Sequence, residues 1–140
     1  MSEIVYREML PEPGAYFRLF ASTGWNDEYR LTAAELARAI GTSWYVISAY
    51  DGYELVGFGR VIADGVHHAL IVDLIVLPAY QRQGIGSAIL QRLLARCHAH
   101  HIRDIQLFCA PGKEGFYHKH GFVPRPAGAP GMEWKDERDE

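Results

Sequence analysis

Between Val72 and Leu90 the chain reads VDLIVLPAYQRQGIGSAIL, an apolar run rich in branched residues that gives way at QRQGIG to a helix-like pattern. A strand ending at Pro78 and feeding a helix whose first turn is QGIGS leaves several backbone N–H groups unpaired at the helix N-terminus. The helix dipole favours negative charge at that same point. Gly84 and Gly86 remove side chains where an anion must approach the backbone, and Arg82 and Gln83 stand beside them as further donors. The arrangement suits a phosphate; the alternative use of two glycines two residues apart is a tight turn. The third glycine of a dinucleotide fingerprint is missing, and so is the Gly-Lys-Ser/Thr of a P-loop, which argues against NAD and ATP.

Asp73 is the second residue to weigh, because it interrupts a run otherwise fit for a buried strand. An ionised carboxylate there is costly unless it is paired or used. Pairing with Arg60 or nearby backbone is one reading, and steering an ammonium group is the other. Regular alternation puts Asp73 on the side of Ile71 and Ile75. The seven histidines invite a metal reading, but CHAHH ends a helix, where histidine suits the dipole, and HKH lies on a surface-like helix. Neither is joined by cysteines or carboxylates at a ligand spacing, so no metal is expected. His67 and His68 belong to a solvated loop or reach toward a cleft. Trp25, Tyr29, Trp44 and Trp134 are core residues or walls of an acceptor site.

These residues need elements to hold them. EIVYREM alternates as a strand and ends at Pro11, Pro13 and Gly14. AYFRLFAS and TAAELARAI read as two short helices separated by TGWNDEYRL, the second with Thr32 as N-cap and Glu35 as its capping-box partner. SWYVISAY and ELVGFGRVIA flank the hairpin signal DGY, and DGVHH turns into ALIVDLIVL, which makes three consecutive antiparallel strands. The helix from Gly84 places Ile85, Ile89, Leu93 and Cys97 on one stripe, with Gln91, Arg92 and Arg96 facing away. DIQLFC is a short strand, GKEGFYHKHG a short helix stopped by Gly121, and FVP and GMEW are strand-like pieces. The fold class is α/β, a mixed sheet with helices.

A chain of 140 residues allows one domain, taken as 1–134, with KDERDE at 135–140 as a solvated acidic tail. About half the residues are apolar and 22% are charged, a composition that can bury a real core. No apolar stretch is long enough to cross a bilayer, so no membrane partner is expected. MSEIVYREML lacks the regions of a signal peptide, which makes the cytoplasm the expected compartment. Cys97 and Cys109 form no CxxC pair and are expected as reduced thiols. A net charge of −3 offers no basic footprint for nucleic acid.

LIVLPAYQRQGIGSAIL and FYHKHGF, taken together, resemble the cofactor-binding signature of the GNAT superfamily of acetyl-CoA-dependent N-acetyltransferases. GFGRVIADGVHHALIVDLIVLPAYQRQGIG, IRDIQLF and PGMEW look most like the plant and cyanobacterial arylalkylamine, or serotonin-type, members. The resemblance implies a largely antiparallel mixed sheet with a splay between two central parallel strands. It implies acetyl-CoA as co-substrate, its pantetheine arm on the backbone of Leu74, Ile75 and Val76 and its pyrophosphate on Arg82, Gln83, Gly84, Ile85, Gly86 and Ser87. Phe116 joins the cofactor-binding set, and Tyr117 matches the tyrosine that protonates the departing thiolate. The family's glutamate falls near apolar Ile105 and its downstream asparagine at Ala110, so neither role carries over, and Asp73 is the replacement candidate. The implied partner is a small-molecule primary amine, and a homodimer is left open. A protein N-terminal or lysine acetyltransferase and a CoA-binding module without turnover are the alternatives.

Overall fold

The computed structural model describes residues 3–136. The chain divides after Phe108 into two compact units, described in turn. Of the expected acidic tail, residues 137–140 lie outside the described residues.

The first unit is a five-stranded sheet with helices on both faces. Its elements are β1 (Ile4–Arg7), α1 (Pro13–Ala21), α2 (Asn26–Tyr29), α3 (Ala33–Ile40), β2 (Tyr45–Asp51), β3 (Glu54–Ala63), β4 (His68–Val76), α4 (Ile85–Ala99) and β5 (Asp104–Leu107). The strands lie in chain order; β1 to β4 are antiparallel, and β5 runs parallel to β4 after the α4 crossover. The expected capping box closes α3: Glu35 N donates to Thr32 Oγ1 at 3.1 Å and Thr32 N to Glu35 Oε1 at 2.9 Å. The linker TGWNDEYRL contains a helix of its own, α2. Its end is fixed by the Asn26 side chain, which bonds Leu31 N and Leu31 O, while Trp25 packs edge-on against Phe20.

One sheet face carries α1 and α3, where Tyr16, Leu19, Phe20, Leu36 and Ile40 bury against Val46, Leu55, Phe58 and Ile75. The other carries α4, whose stripe Ile85, Ile89, Leu93 and Cys97 is buried as expected. Here the GFG of β3 matters. A Cβ on Gly59 would lie 2.7 Å from Ile89 Cγ2, and one on Gly57 3.0 Å from Ile89 Cδ1. The two glycines let α4 rest on the strand backbone, a role that sequence reading missed. Arg92 and Arg96 do not simply face away: their guanidinium groups lie 4.1 Å over the Tyr6 ring and 4.4 Å over the Tyr45 ring, and Arg96 also pairs with Glu8. Each arginine covers apolar ring surface with its stem while its charge stays wet.

The β4 strand is irregular where it matters. Arg60 faces Val72 and Phe58 faces Ile75, so Asp73 and Leu74 together oppose Gly59. Asp73 stands at φ 55, which makes this a bulge with its residue in the left-handed region, a conformation aspartate tolerates better than most. The extra residue reverses the alternation beyond it. Ile71 pairs with Val61 on the α4 face, whereas Ile75 packs into the α1 and α3 core. The expectation that Asp73 shares a side with both is corrected: it shares that of Ile75 alone.

The second unit contains α5 (Glu114–Lys119), stopped by Gly121 at φ 92. FVP and GMEW form no strand. Pro124, Pro126 and Pro130 remove ladder donors around both pieces, and Val123, Met132 and Trp134 are exposed. Trp134 is therefore not a core residue, nor is Tyr29 in the first unit, which is 64% exposed.

Candidate active site

Two features of the first unit converge near the C-terminal end of β4. The parallel ladder with β5 ends at the pair Ile71 and Leu107, while β4 continues to Val76. Leu74, Ile75 and Val76 thus form a strand edge that β5 does not pair. Ile75 is 3% exposed and Leu74 leans toward Gly59 beneath α4, which leaves backbone rather than side chain to meet a ligand there. Val76 O accepts from Gln81 Nε2 at 3.0 Å.

Beyond that edge a single 3₁₀ turn, Pro78–Tyr80, leads into the glycine loop. Arg82 and Gly84 both have left-handed backbone, φ 65 and 85. Gly84 is the N-cap of α4 and contributes no capping side chain. The first-turn N–H groups therefore point toward a loop lined by the exposed Arg82, Gln83 and Gly84, with Gly86 and Ser87 half-buried. Ile85 turns its side chain into the core and offers the loop only its backbone. This is the geometry of an anion site. Tyr80, unremarked in the sequence, ties it to the β2–β3 hairpin. Its hydroxyl donates to Asp51 Oδ2 at 2.6 Å and reaches Glu54 Oε1 at 3.3 Å. The bond to Asp51, helped by both carboxylate charges, pushes the phenol up to about 12.

Asp73 is paired. Arg60 Nε donates to its Oδ2 at 2.7 Å, with the two side chains 12% and 21% exposed. Arg60 Nη1 also reaches Ala39 O and Ser43 Oγ, both at 3.3 Å, and so ties the bulge to the end of α3. Oδ1 of Asp73 has no donor among the hydrogen bonds of the described residues. The buried Tyr16 ring, held edge-on to Phe58 at 4.9 Å, lies within electrostatic reach of both partners. Its phenol is pushed well above the usual range, by burial first and by the Asp73 charge second.

In the second unit Phe116 and Tyr117 are adjacent on α5 with their rings edge-on at 5.1 Å, and Phe122 packs on Tyr117 at 5.9 Å. Burial, and then Cys109, raise the Tyr117 pKa. At neutral pH this phenol is a proton donor, not a phenolate.

Four of the seven histidines have partners as follows. His67 pairs with Asp64 and His68 with Asp104, His100 packs on Trp44, and His118 lies beside Glu114. Among the described residues no group of three or more metal-ligating side chains occurs, and no helix is long and apolar enough to cross a membrane.

A family model described as an acetyltransferase (GNAT) domain matches residues 42–124. The chain belongs to the GNAT acetyltransferase family. Serotonin N-acetyltransferase 2, chloroplastic, of Oryza sativa subsp. japonica is 33% identical over 123 residues, which cover 85% of this chain and 60% of that protein. The histone acetyltransferase TAP1 of Glycine max is 32% identical over 139 residues, 83% of this chain and 60% of that one. The curated relatives are longer, and the chain spans 31% to 65% of their length. A GNAT family acetyltransferase structure from Streptococcus pneumoniae superposes with a TM-score of 0.79 at 31% identity, covering 98% of this chain and 99% of that one. The five-stranded mixed sheet flanked by helices is thus the GNAT fold.

Proposed function

We propose that the protein transfers an acetyl group from acetyl-CoA to a primary amine, small or aromatic. The observation that carries the reading is the unpaired β4 edge at 74–76 leading into an uncapped helix N-terminus, in a chain of this family. The edge offers backbone groups to the pantetheine amides, and the loop from Arg82 to Ser87 offers N–H groups and a cation to the pyrophosphate. Phe116 supplies apolar contact to the cofactor.

In this reading the neutral amine attacks the thioester carbonyl, a C–N bond forms, and the electron pair of the breaking C–S bond leaves on sulfur. Tyr117 donates its proton to that thiolate. A strand amide stabilises the tetrahedral oxyanion. Asp73 draws the ammonium with Oδ1 while Arg60 holds Oδ2, and it takes the amine's proton through water. The ammonium loses two protons in becoming an amide: one offsets the proton that Tyr117 gives to the thiolate, and the other leaves to solvent by way of Asp73.

The names of the relatives divide between an arylalkylamine and a histone at nearly equal identity, so a protein lysine or N-terminus is the second reading for the acceptor. Two free thiols, Cys97 and Cys109, suit a reducing compartment. We take the cytoplasm as that compartment, and the chloroplastic name of the rice relative marks the alternative. A thiol-release assay with acetyl-CoA decides the acceptor, run with serotonin, an aliphatic primary amine and a lysine-containing peptide. Turnover with the amines and none with the peptide supports the reading. Turnover confined to the peptide replaces it with the second. No thiol release with any acceptor leaves a CoA-binding module in its place.

A further inference from the structure

The Tyr16 hydroxyl is the one buried side-chain nitrogen or oxygen among the described residues that has no hydrogen-bond partner. The residue is 1% exposed, and its ring is fixed between Phe58 at 4.9 Å and Phe20 at 6.0 Å. Packing alone would be met by phenylalanine, which fills the same volume without a polar atom. A buried hydroxyl left unpaired is a net cost to stability, and native interiors pair nearly all such groups. Its location gives the hydroxyl a use. Tyr16 packs with Phe58 and Ile75, the pair that closes the bulge at Asp73; the Asp73 and Arg60 charges act on its hydroxyl, and Oδ1 of Asp73 lies outside the Arg60 bond.

We propose that Tyr16 is a positioning residue for the acceptor amine, acting through Asp73 at the β4 bulge. The inference rests on the proposed transferase reading. Arg60 holds one carboxylate oxygen, and the arriving ammonium takes the other. Tyr16, packed with Phe58 and Ile75 on the sheet face that Asp73 shares, is a donor that moves in only when Asp73 has shifted onto the amine. The O–H then supports the carboxylate from behind and holds it toward the substrate. Because the phenol stays protonated throughout, it donates without exchanging a proton with the amine. The unpaired hydroxyl of the resting state is thus a stability cost kept for binding, the trade expected where a local rule is broken beside a functional group.

The test is Tyr16→Phe, read by melting temperature, acetyl-CoA affinity and steady-state kinetics against a primary amine, alone and in an Asp73→Asn background. A purely structural tyrosine and a positioning tyrosine differ in melting temperature and in amine kinetics, and acetyl-CoA affinity reports whether the cofactor site is intact. The expected result is a melting temperature equal to or above that of the parent, unchanged acetyl-CoA affinity, and kcat/KM for the amine lowered about tenfold, as for one hydrogen bond to a charged group. In the Asp73→Asn background the same substitution should change kcat/KM by less than about twofold, because the group through which it acts has lost its charge. Parental amine kinetics in Tyr16→Phe overturn the inference, as does a tenfold loss that persists in the Asp73→Asn background. A fall in melting temperature with parental kinetics in the folded fraction also overturns it, by making the hydroxyl structural. A parent that acetylates no amine overturns the transferase reading and this inference together, whereas the former outcomes leave that reading intact.

Discussion

Replacing Gly59 with alanine tests whether the seat of α4 on the sheet sets the geometry of the anion loop. The added Cβ would lie 2.7 Å from Ile89 Cγ2, 3.1 Å from Leu93 Cδ1 and 3.3 Å from Leu74 Cδ1. Carbon atoms rest at about 3.5–4.0 Å, so α4 must lift by about 1 Å at Ile89. Overpacking of this kind costs about 1–3 kcal/mol. Reduced freedom of the unfolded chain offsets about 0.4–1 kcal/mol. At the middle of both ranges the net destabilisation is about 1.3 kcal/mol, a fall in melting temperature of roughly 4 °C for a chain of this size. Ile89 stands one turn from the start of α4, so a lift there displaces the N–H groups of the loop as well. Hydrogen bonds to an anion do not survive a displacement of that size unchanged, and acetyl-CoA affinity should fall about tenfold. Calorimetry measures both quantities on one sample, the melting temperature by scanning and the affinity by titration. A variant with lowered melting temperature and parental affinity would show that the start of α4 does not hold the cofactor. Parental values of both would refute the packing argument itself.

Tyr117→Phe should keep acetyl-CoA affinity and lower kcat by roughly 10² to 10⁴-fold, the range for loss of a positioned acid; an unchanged kcat, with chemistry rate-limiting, removes Tyr117 from the mechanism. Asp73→Asn should raise the amine KM or lower kcat, with acetyl-CoA affinity barely changed. It should also lower the melting temperature, because Arg60 loses its charged partner; parental kinetics in the folded fraction would confine Asp73 to structure. Asp64 accepts N–H bonds from Val66, His67 and His68, which lower its pKa from 3.8 to about 2. A carboxylate depressed on folding stabilises above its unfolded pKa, and that stability is lost as pH falls through the folded value. The melting temperatures of the parent and Asp64→Asn should therefore differ most above about pH 4 and converge toward pH 2; a gap that stays constant over that window would contradict the assignment.

Much of the fold was legible because its signals are local. Thr32 and Glu35 lie three residues apart and satisfy each other's backbone, so their capping box depends on nothing outside one helical turn. DGY between alternating strands marks its hairpin, and the 3.6-residue stripe from Ile85 to Cys97 needs only the helical period. The expectation of an anion site at QRQGIG was open to sequence reading for the same reason: the donors, the glycines and the dipole all belong to consecutive residues. What the sequence could not display is anything that depends on which strand lies opposite. The bulge at Asp73 is a mismatch of count between β3 and β4, and it moves Ile75 to the face opposite Ile71 without leaving a mark in the apolar run. Gly57 and Gly59 look like weak points of a strand until α4 is laid upon them. Tyr80 finds Asp51, and Arg60 finds Asp73, across separations that no periodicity encodes. FVP and GMEW show the converse, since strand-like residues become strands only when a partner supplies the other half of the ladder. The sequence alone therefore determined most of the elements up to β5 and raised the expectations of chemistry that neighbouring residues carry. Tertiary structure decided register, the direction each side chain faces and the partner of each buried charge, because those depend on contacts between segments far apart in the chain.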